Sequence, residues 1–368
     1  MRTTQRAVAP DMIRCFALFT VVGVHFFLHT GFYAQTVTGA IMYLGTVLSS
    51  FFRICVPLFL LLTGYLLRTR PLSKKHFPKI GKTLGLYVLA SFACLAYTLL
   101  FQREQTSLFQ ELYGILGFTT APYGWYIEMY IGLFLLIPFL NILYNNLQTQ
   151  KQEQLLILVM LVLTAFPNIL NIYRLFDLQW WIAPASSHSY YLLFPDWWTG
   201  VYPITYYFLG CYLSKHPLKM KPAVNLLSVL IAAIAFGSFN FYRSHNSAFV
   251  EGSWLGYGSL FVVILSVLVF NLFLVLDYSK LSSRIRLWLG RLSDWSLGAY
   301  LLSWVFDDAI YAVLCHFVPT VFARFPFFLL TVPVVYVCSL TASAVLNWVQ
   351  KQLGKGLTGL LRHCVRTK

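Results

Sequence analysis

The feature that most constrains this chain is a rhythm of long apolar stretches broken by short loops. Ten can be drawn, near residues 12–29, 41–67, 82–101, 124–145, 154–172, 200–214, 223–242, 254–276, 295–317 and 327–350. All but a shorter sixth come near or pass the roughly 20 residues a helix needs to cross a bilayer. Composition agrees: 58% of the 368 residues are hydrophobic and 11% are charged, far too apolar for a soluble domain of this length. The expected fold is all-α, a polytopic transmembrane bundle of ten spans forming a single domain over residues 1–368. No appended soluble domain or internal repeat is expected. The first run lacks a small-residue cleavage site and carries Arg14, so it is expected to stay as the first helix rather than leave as a signal peptide.

The basic residues give the orientation. With the N-terminus inside and the spans alternating, only Arg103, Arg174, Arg243 and Arg324 fall in outside loops, and Arg14 and Arg53 fall within spans. The rest of the 27 lysines and arginines gather on the inside, which is the positive-inside pattern, so both termini are expected to be cytoplasmic. The net charge of +15 therefore reads as membrane topology and not as nucleic-acid binding. The expected location is a plasma membrane, crossed many times.

Six of the seven cysteines lie inside apolar spans and Cys364 lies in the basic tail, so free, inert thiols are expected. The outside stretch near 173–199 carries Trp180, Trp181, Tyr190, Tyr191, Trp197 and Trp198. It reads either as an interfacial aromatic belt or as a stacking platform for a sugar.

Ionisable residues at membrane depth are candidates for function, because lipid penalises them and they face a bundle interior or a wet cavity. Span one holds Asp11, Arg14, His25 and His29. Arg14 and His25 are eleven residues apart, which returns them to within about 20° of one helix face and separates them by about 16 Å. A fixed cation and a titratable imidazole on one wall suit a long substrate with an anionic head. Asp11 is expected to pair with Arg14, three residues on.

Span two holds Arg53, and Pro57 leaves the Arg53 carbonyl without its helical partner. Lys79 and Lys82 stand one turn apart where span three begins and are candidates to hold phosphates. Span four opens Tyr123-Gly-Trp125-Tyr126-Ile-Glu128, and Glu128 is expected to counter Arg53 or to orient His25. Asp307 and Asp308 adjoin in span nine, so they cannot both face one site, and at least one is expected to be paired or neutral. The His25/His29 spacing can bind zinc, but no further cluster has ligand spacing and no metal is expected.

On these residues the chain resembles the membrane acyltransferase-3 family. Arg14 and His25 match that family's arginine, ten residues, histidine. Phe51–Leu67 resembles its arginine-valine-proline-leucine-phenylalanine and glycine-tyrosine pattern, and Trp125–Leu140 its tryptophan-tyrosine span. Tyr207-Phe-Leu-Gly210 and Ser296-Leu-Gly-Ala-Tyr300 match later landmarks, so the similarity runs in order along nearly the whole chain. Two landmarks differ: Lys79-x-x-Lys82 replaces the usual arginine-x-x-arginine, and Ser303 stands where a histidine is often found.

The resemblance implies transfer of an acyl group, most often acetyl, from cytoplasmic acyl-CoA to a hydroxyl of an envelope or secreted glycan or its lipid-linked precursor. Acyl-CoA is then a co-substrate, and no permanently bound cofactor is implied. Carried over by position, His25 is the catalytic base and Arg14 its companion, with Arg53 available to stabilise the oxyanion. Arg14, Lys79 and Lys82 would meet the CoA phosphates, and Trp125, Tyr126 and Glu128 the acceptor. Two other classes fit the same sequence: an exporter or flippase for a polysaccharide or lipid-linked sugar, and a sensory membrane domain without turnover.

Overall fold

The first helix, α1 (Val8–His29), is the axis of the bundle and is buried over most of its length. In the computed structural model, which describes residues 6–102, 107–183, 185 and 190–366 and side chains up to 355 apart from that of Leu108, the remaining helices pack partly against it and partly against one another. They are α2 (Gly39–Phe52), α3 (Cys55–Leu67), α4 (Ile80–Tyr97), α5 (Leu108–Leu116), α6 (Trp125–Asn145), α7 (Gln150–Thr164), α8 (Pro167–Leu170) and α9 (Leu178–Ile182). Then come α10 (Tyr202–Lys215), α11 (Pro222–Ser244), α12 (Leu260–Val275), α13 (Ser283–Phe317), α14 (Val321–Arg324) and α15 (Phe328–Arg366). Arg2, Arg103 and Lys368, counted above for orientation, lie outside the described residues, as do the side chains of Arg362, Cys364 and Arg366.

The chain is an integral, multi-pass membrane protein: among the described residues, 8 helical stretches are long and apolar enough to cross a bilayer. The two further expected spans are helical but short. The fifth, drawn over 154–172, is α7 with 15 residues, followed after Ala165 and Phe166 by the brief α8 that Pro167 opens. The sixth, drawn over 200–214, is α10 with 14 residues, and nearly every side chain from Pro203 to Leu213 is buried. A helix enclosed on all sides is fitted to its protein neighbours, so lipid thickness does not set its length.

Three boundaries show what hydropathy misses. Span two is two helices, α2 and α3, joined at Arg53 and Ile54. Pro57 cannot donate to the Arg53 carbonyl, so the break falls where that hydrogen bond is missing. The ninth stretch begins at Ser283, capped by Ser282, and not near 295. Its first turns carry Arg284, Arg286 and Arg291, which a hydropathy window rejects but a helix accepts. The last helix likewise runs on past 350 to Arg366.

Glycine sets the closest approach. Gly64 of α3 and Gly210 of α10 face each other, and a Cβ on either would run into the other helix's backbone, at the carbonyls of Tyr207 and Leu61 respectively. Small residues at a crossing let helix backbones meet within a membrane. Cys211 Sγ reaches the Gly64 carbonyl at 3.5 Å across this crossing. The six cysteines with described side chains are free thiols.

The contact that positions the site is α1 against α13. Cys15 meets Leu289, Arg14 meets Ser293, His25 meets Asp307, and Cys315 meets the His29 carbonyl. Residue numbers rise together along both helices, so the two run parallel. Arg6 locks their near end, donating to Asp11 at 2.6 Å and to Asp294 at 2.9 Å. The hydrogen bond that Arg6 donates to Asp294 raises its guanidinium above the ordinary range against the lowering effect of burial, so the clamp stays charged.

Candidate functional site

The site begins with a carboxylate on α13 that has no lipid-tolerant alternative. Asp307 is fully buried, and its Oδ2 lies 2.7 Å from Nδ1 of His25. A carboxylate accepts, so Nδ1 carries the proton and Nε2 is the basic nitrogen of the ring. Tyr123, just before α6, donates its hydroxyl to the same Oδ2 at 2.9 Å and stacks on the His25 ring with centroids 4.0 Å apart. His29 backs the arrangement, with its Nε2 3.0 Å from the Tyr123 oxygen. The imidazole is thus held by one carboxylate, one stacked ring and the helix that carries it.

His25 lines a cavity of about 190 Å³, together with Val24, Tyr33, Arg53, Trp125 and Glu251. Arg53 donates to Glu251 Oε1 at 2.6 Å, and Tyr33 lies under its guanidinium. Trp125 stacks on Tyr257 at this wall. Glu251 also edges an open polar cleft of about 550 Å³ lined by Asn168, Tyr190, Asp196 and Ser253 among others. Glu251 is thus a wall shared by the His25 cavity and the cleft.

A second cavity, of about 280 Å³, lies nearer the other end of α1. Arg14, Thr83, Tyr126, Tyr130 and Ser296 line it, among apolar residues of α3. Arg14 donates to Ser293 Oγ at 3.2 Å. The two cavities share two lining residues, Val56 and Tyr300. A fixed cation in one chamber and an imidazole in the next, with one thin partition, is an arrangement that can hold two reactants end to end.

The structure brings some expected site residues together and separates others. Arg14 and His25 lie along one line of α1, in adjoining cavities, and Arg53 joins His25. Trp125 and Tyr126, though neighbours in sequence, line different cavities. Lys79, in the 3-10 turn Phe77–Lys79, and Lys82, in the first turn of α4, are exposed beside Thr83 of the Arg14 cavity.

Two expected pairings are corrected. Asp11 pairs with Arg6 and not with Arg14, because Arg14 points inward to Ser293 while Arg6 reaches back to the helix start. Glu128 neither counters Arg53 nor orients His25: it is exposed and lines neither cavity, and Glu251 and Asp307 take those places. The adjacent carboxylates divide as their geometry requires. Asp307 turns to His25, and Asp308 accepts from Tyr97 at 2.7 Å and Gln102 at 3.0 Å. No group of three or more metal-ligating side chains occurs among the described residues.

Asp307, Tyr123, Glu251, Ser293 and Tyr300 were not assigned these places from sequence. For Asp307 a signal existed. His25 has no acid at helical spacing within its own span, and a buried aspartate in another apolar run needs a partner.

The family profile described as an acyltransferase domain matches residues 8–344, which hold both cavities and the His25–Asp307 pair. No curated protein and no solved structure matches the chain.

Proposed function

The chain belongs to the membrane acyltransferase-3 family, and on that premise we propose that it moves an acyl group, acetyl in the first instance, from acyl-CoA to a hydroxyl of an envelope glycan or its lipid-linked precursor. Family membership implies the acyltransferase class. The observation that carries the finer reading is the His25–Asp307 pair at the wall of one cavity, next to a second cavity that holds Arg14.

In this reading acyl-CoA enters at the end where Lys79 and Lys82 stand exposed, which positive-inside charge assigns to the cytoplasm. The lysines meet the CoA phosphates as point charges, with Arg14 deeper on the same path. The pantetheine arm occupies the Arg14 cavity, and the thioester arrives at the partition. The acceptor hydroxyl comes from the polar cleft through the His25 cavity, where Trp125 offers a flat face to a sugar ring. Glu128, exposed on α6, remains available only to a part of the acceptor outside this cavity.

His25 takes the hydroxyl proton on Nε2 as the oxygen attacks the thioester carbon. Asp307 fixes the tautomer and stabilises the imidazolium that forms. Arg53, with one guanidinium nitrogen spent on Glu251, keeps other donors for charge developing in the cavity. The imidazolium then returns its proton to the departing sulfur.

Mass spectrometry of envelope glycans tests the reading. Deleting the gene is expected to remove an acyl mark, the wild-type chain to restore it, and His25→Ala to leave it missing. Restoration by His25→Ala would refute the assignment. An export or flipping role predicts the opposite pattern, a mislocalised glycan with its acyl mark intact.

A further inference from the structure

Tyr300 is placed unlike any other side chain of the site. It is 4% exposed, lies on α13 seven residues after Ser293 and seven before Asp307, and lines both cavities. Its ring is wedged between Tyr126 of the Arg14 cavity, 5.5 Å away, and Tyr123 of the His25 pair, 6.1 Å away. Yet among the described residues its hydroxyl has no hydrogen-bond partner. Buried hydroxyls are almost always paired, and one left unpaired costs free energy that the fold must carry. Other buried side-chain atoms share the defect, among them Tyr33 and Tyr311 hydroxyls and Asp307 Oδ1, but only Tyr300 of these lines both chambers. Had the hydroxyl no use, phenylalanine would fill the same space without the penalty.

We propose that the Tyr300 hydroxyl is a catalytic hydrogen-bond donor to the thioester carbonyl oxygen. The proposal rests on the acyltransferase reading above. The acceptor oxygen bonds to the carbonyl carbon, and its proton passes to His25 Nε2. The carbonyl π electrons move to the oxygen, whose negative charge the Tyr300 O–H then holds. When the electrons return, the carbon–sulfur bond breaks and the CoA sulfur takes the proton from His25. Tyr300 keeps its own proton throughout. A donor already in place at the point where charge develops does not reorganise during the reaction, which is how such groups gain their effect. The half-way position on α13 puts it about 10 Å from the level of Ser293 and the same from that of Asp307, where a thioester reached from one side meets a hydroxyl reached from the other.

The test uses the full-length chain purified into lipid vesicles, labelled acetyl-CoA as donor, and membranes of the producing cell as acceptor. Tyr300→Phe is expected to lower kcat about a hundredfold or more, with KM for acetyl-CoA within about threefold of wild type. Because the lost hydroxyl has no partner at rest, the melting temperature is expected to stay the same or rise. A kcat within tenfold of wild type, a loss carried by KM, or a lower melting temperature overturns the proposal. His25→Ala run alongside separates the two failures. If it is inactive while Tyr300→Phe is active, only the role of Tyr300 falls; if it is active, the acyltransferase mechanism falls and this role with it.

Discussion

At the scale of single residues the site is built from polar groups that meet partners carried by distant parts of the chain. His25 depends on Asp307 for its tautomer, so Asp307→Asn, which keeps the shape, is expected to lower kcat by about 10²–10⁴-fold. Steady-state kinetics with acetyl-CoA should show KM unchanged. In the acyl-CoA reading, Lys79 and Lys82 act at a distance from the chemistry. Replacing both with alanine is expected to raise KM for acetyl-CoA about thirtyfold, since each surface charge near a phosphate is worth roughly 1 kcal/mol. That effect should shrink as salt rises, and kcat should hold. Arg14 and His25 were legible in the sequence because lipid makes any ionisable residue conspicuous and helical spacing puts them on one face. Their partners were not. Which acid meets which base is decided by how distant helices pack, so Glu128, close in sequence to the aromatic motif, drew the role that Glu251 and Asp307 hold.

At the scale of helices, hydropathy located the 8 stretches long and apolar enough to cross a bilayer and the shorter α7 and α10, but judged their ends by apolarity alone. The extension of α13 back to Ser283 escaped it because arginines suit a helix leaving the membrane as well as they suit a loop. That extension supplies Ser293 and Asp294, through which Arg14 and Arg6 are fixed. The Gly64–Gly210 crossing was visible only as two isolated glycines in apolar runs. Gly64→Ala and Gly210→Ala are each expected to destabilise the bundle by about 1–3 kcal/mol, as overpacking does. Thermal melting in detergent should register this, and the double variant should lose less than the sum because both act on one contact.

At the scale of the whole molecule, the parallel run of α1 and α13 restricts topology. Both helices must cross in the same sense, so an even number of crossings precedes α13, whether α7 and α10 traverse the membrane or form a buried pair within it. We predict that they traverse it. Single cysteines placed in residues 146–149 and in residues 190–199 should then react with a membrane-impermeant maleimide from opposite sides. Labelling of both from one side would leave eight crossings and put the Lys215–Glu153 ion pair on the same side as the aromatic loop.

The partition of Val56 and Tyr300 also bears on waste. In the acyltransferase reading, a donor seated behind it presents its reactive carbon to a chamber whose Glu251 wall also edges the open cleft. Water reaching that chamber competes with the sugar for the same imidazole. An idle enzyme would then consume its donor slowly, and the glycan, by filling the outer chamber, would protect the thioester from hydrolysis as well as accept its acyl group.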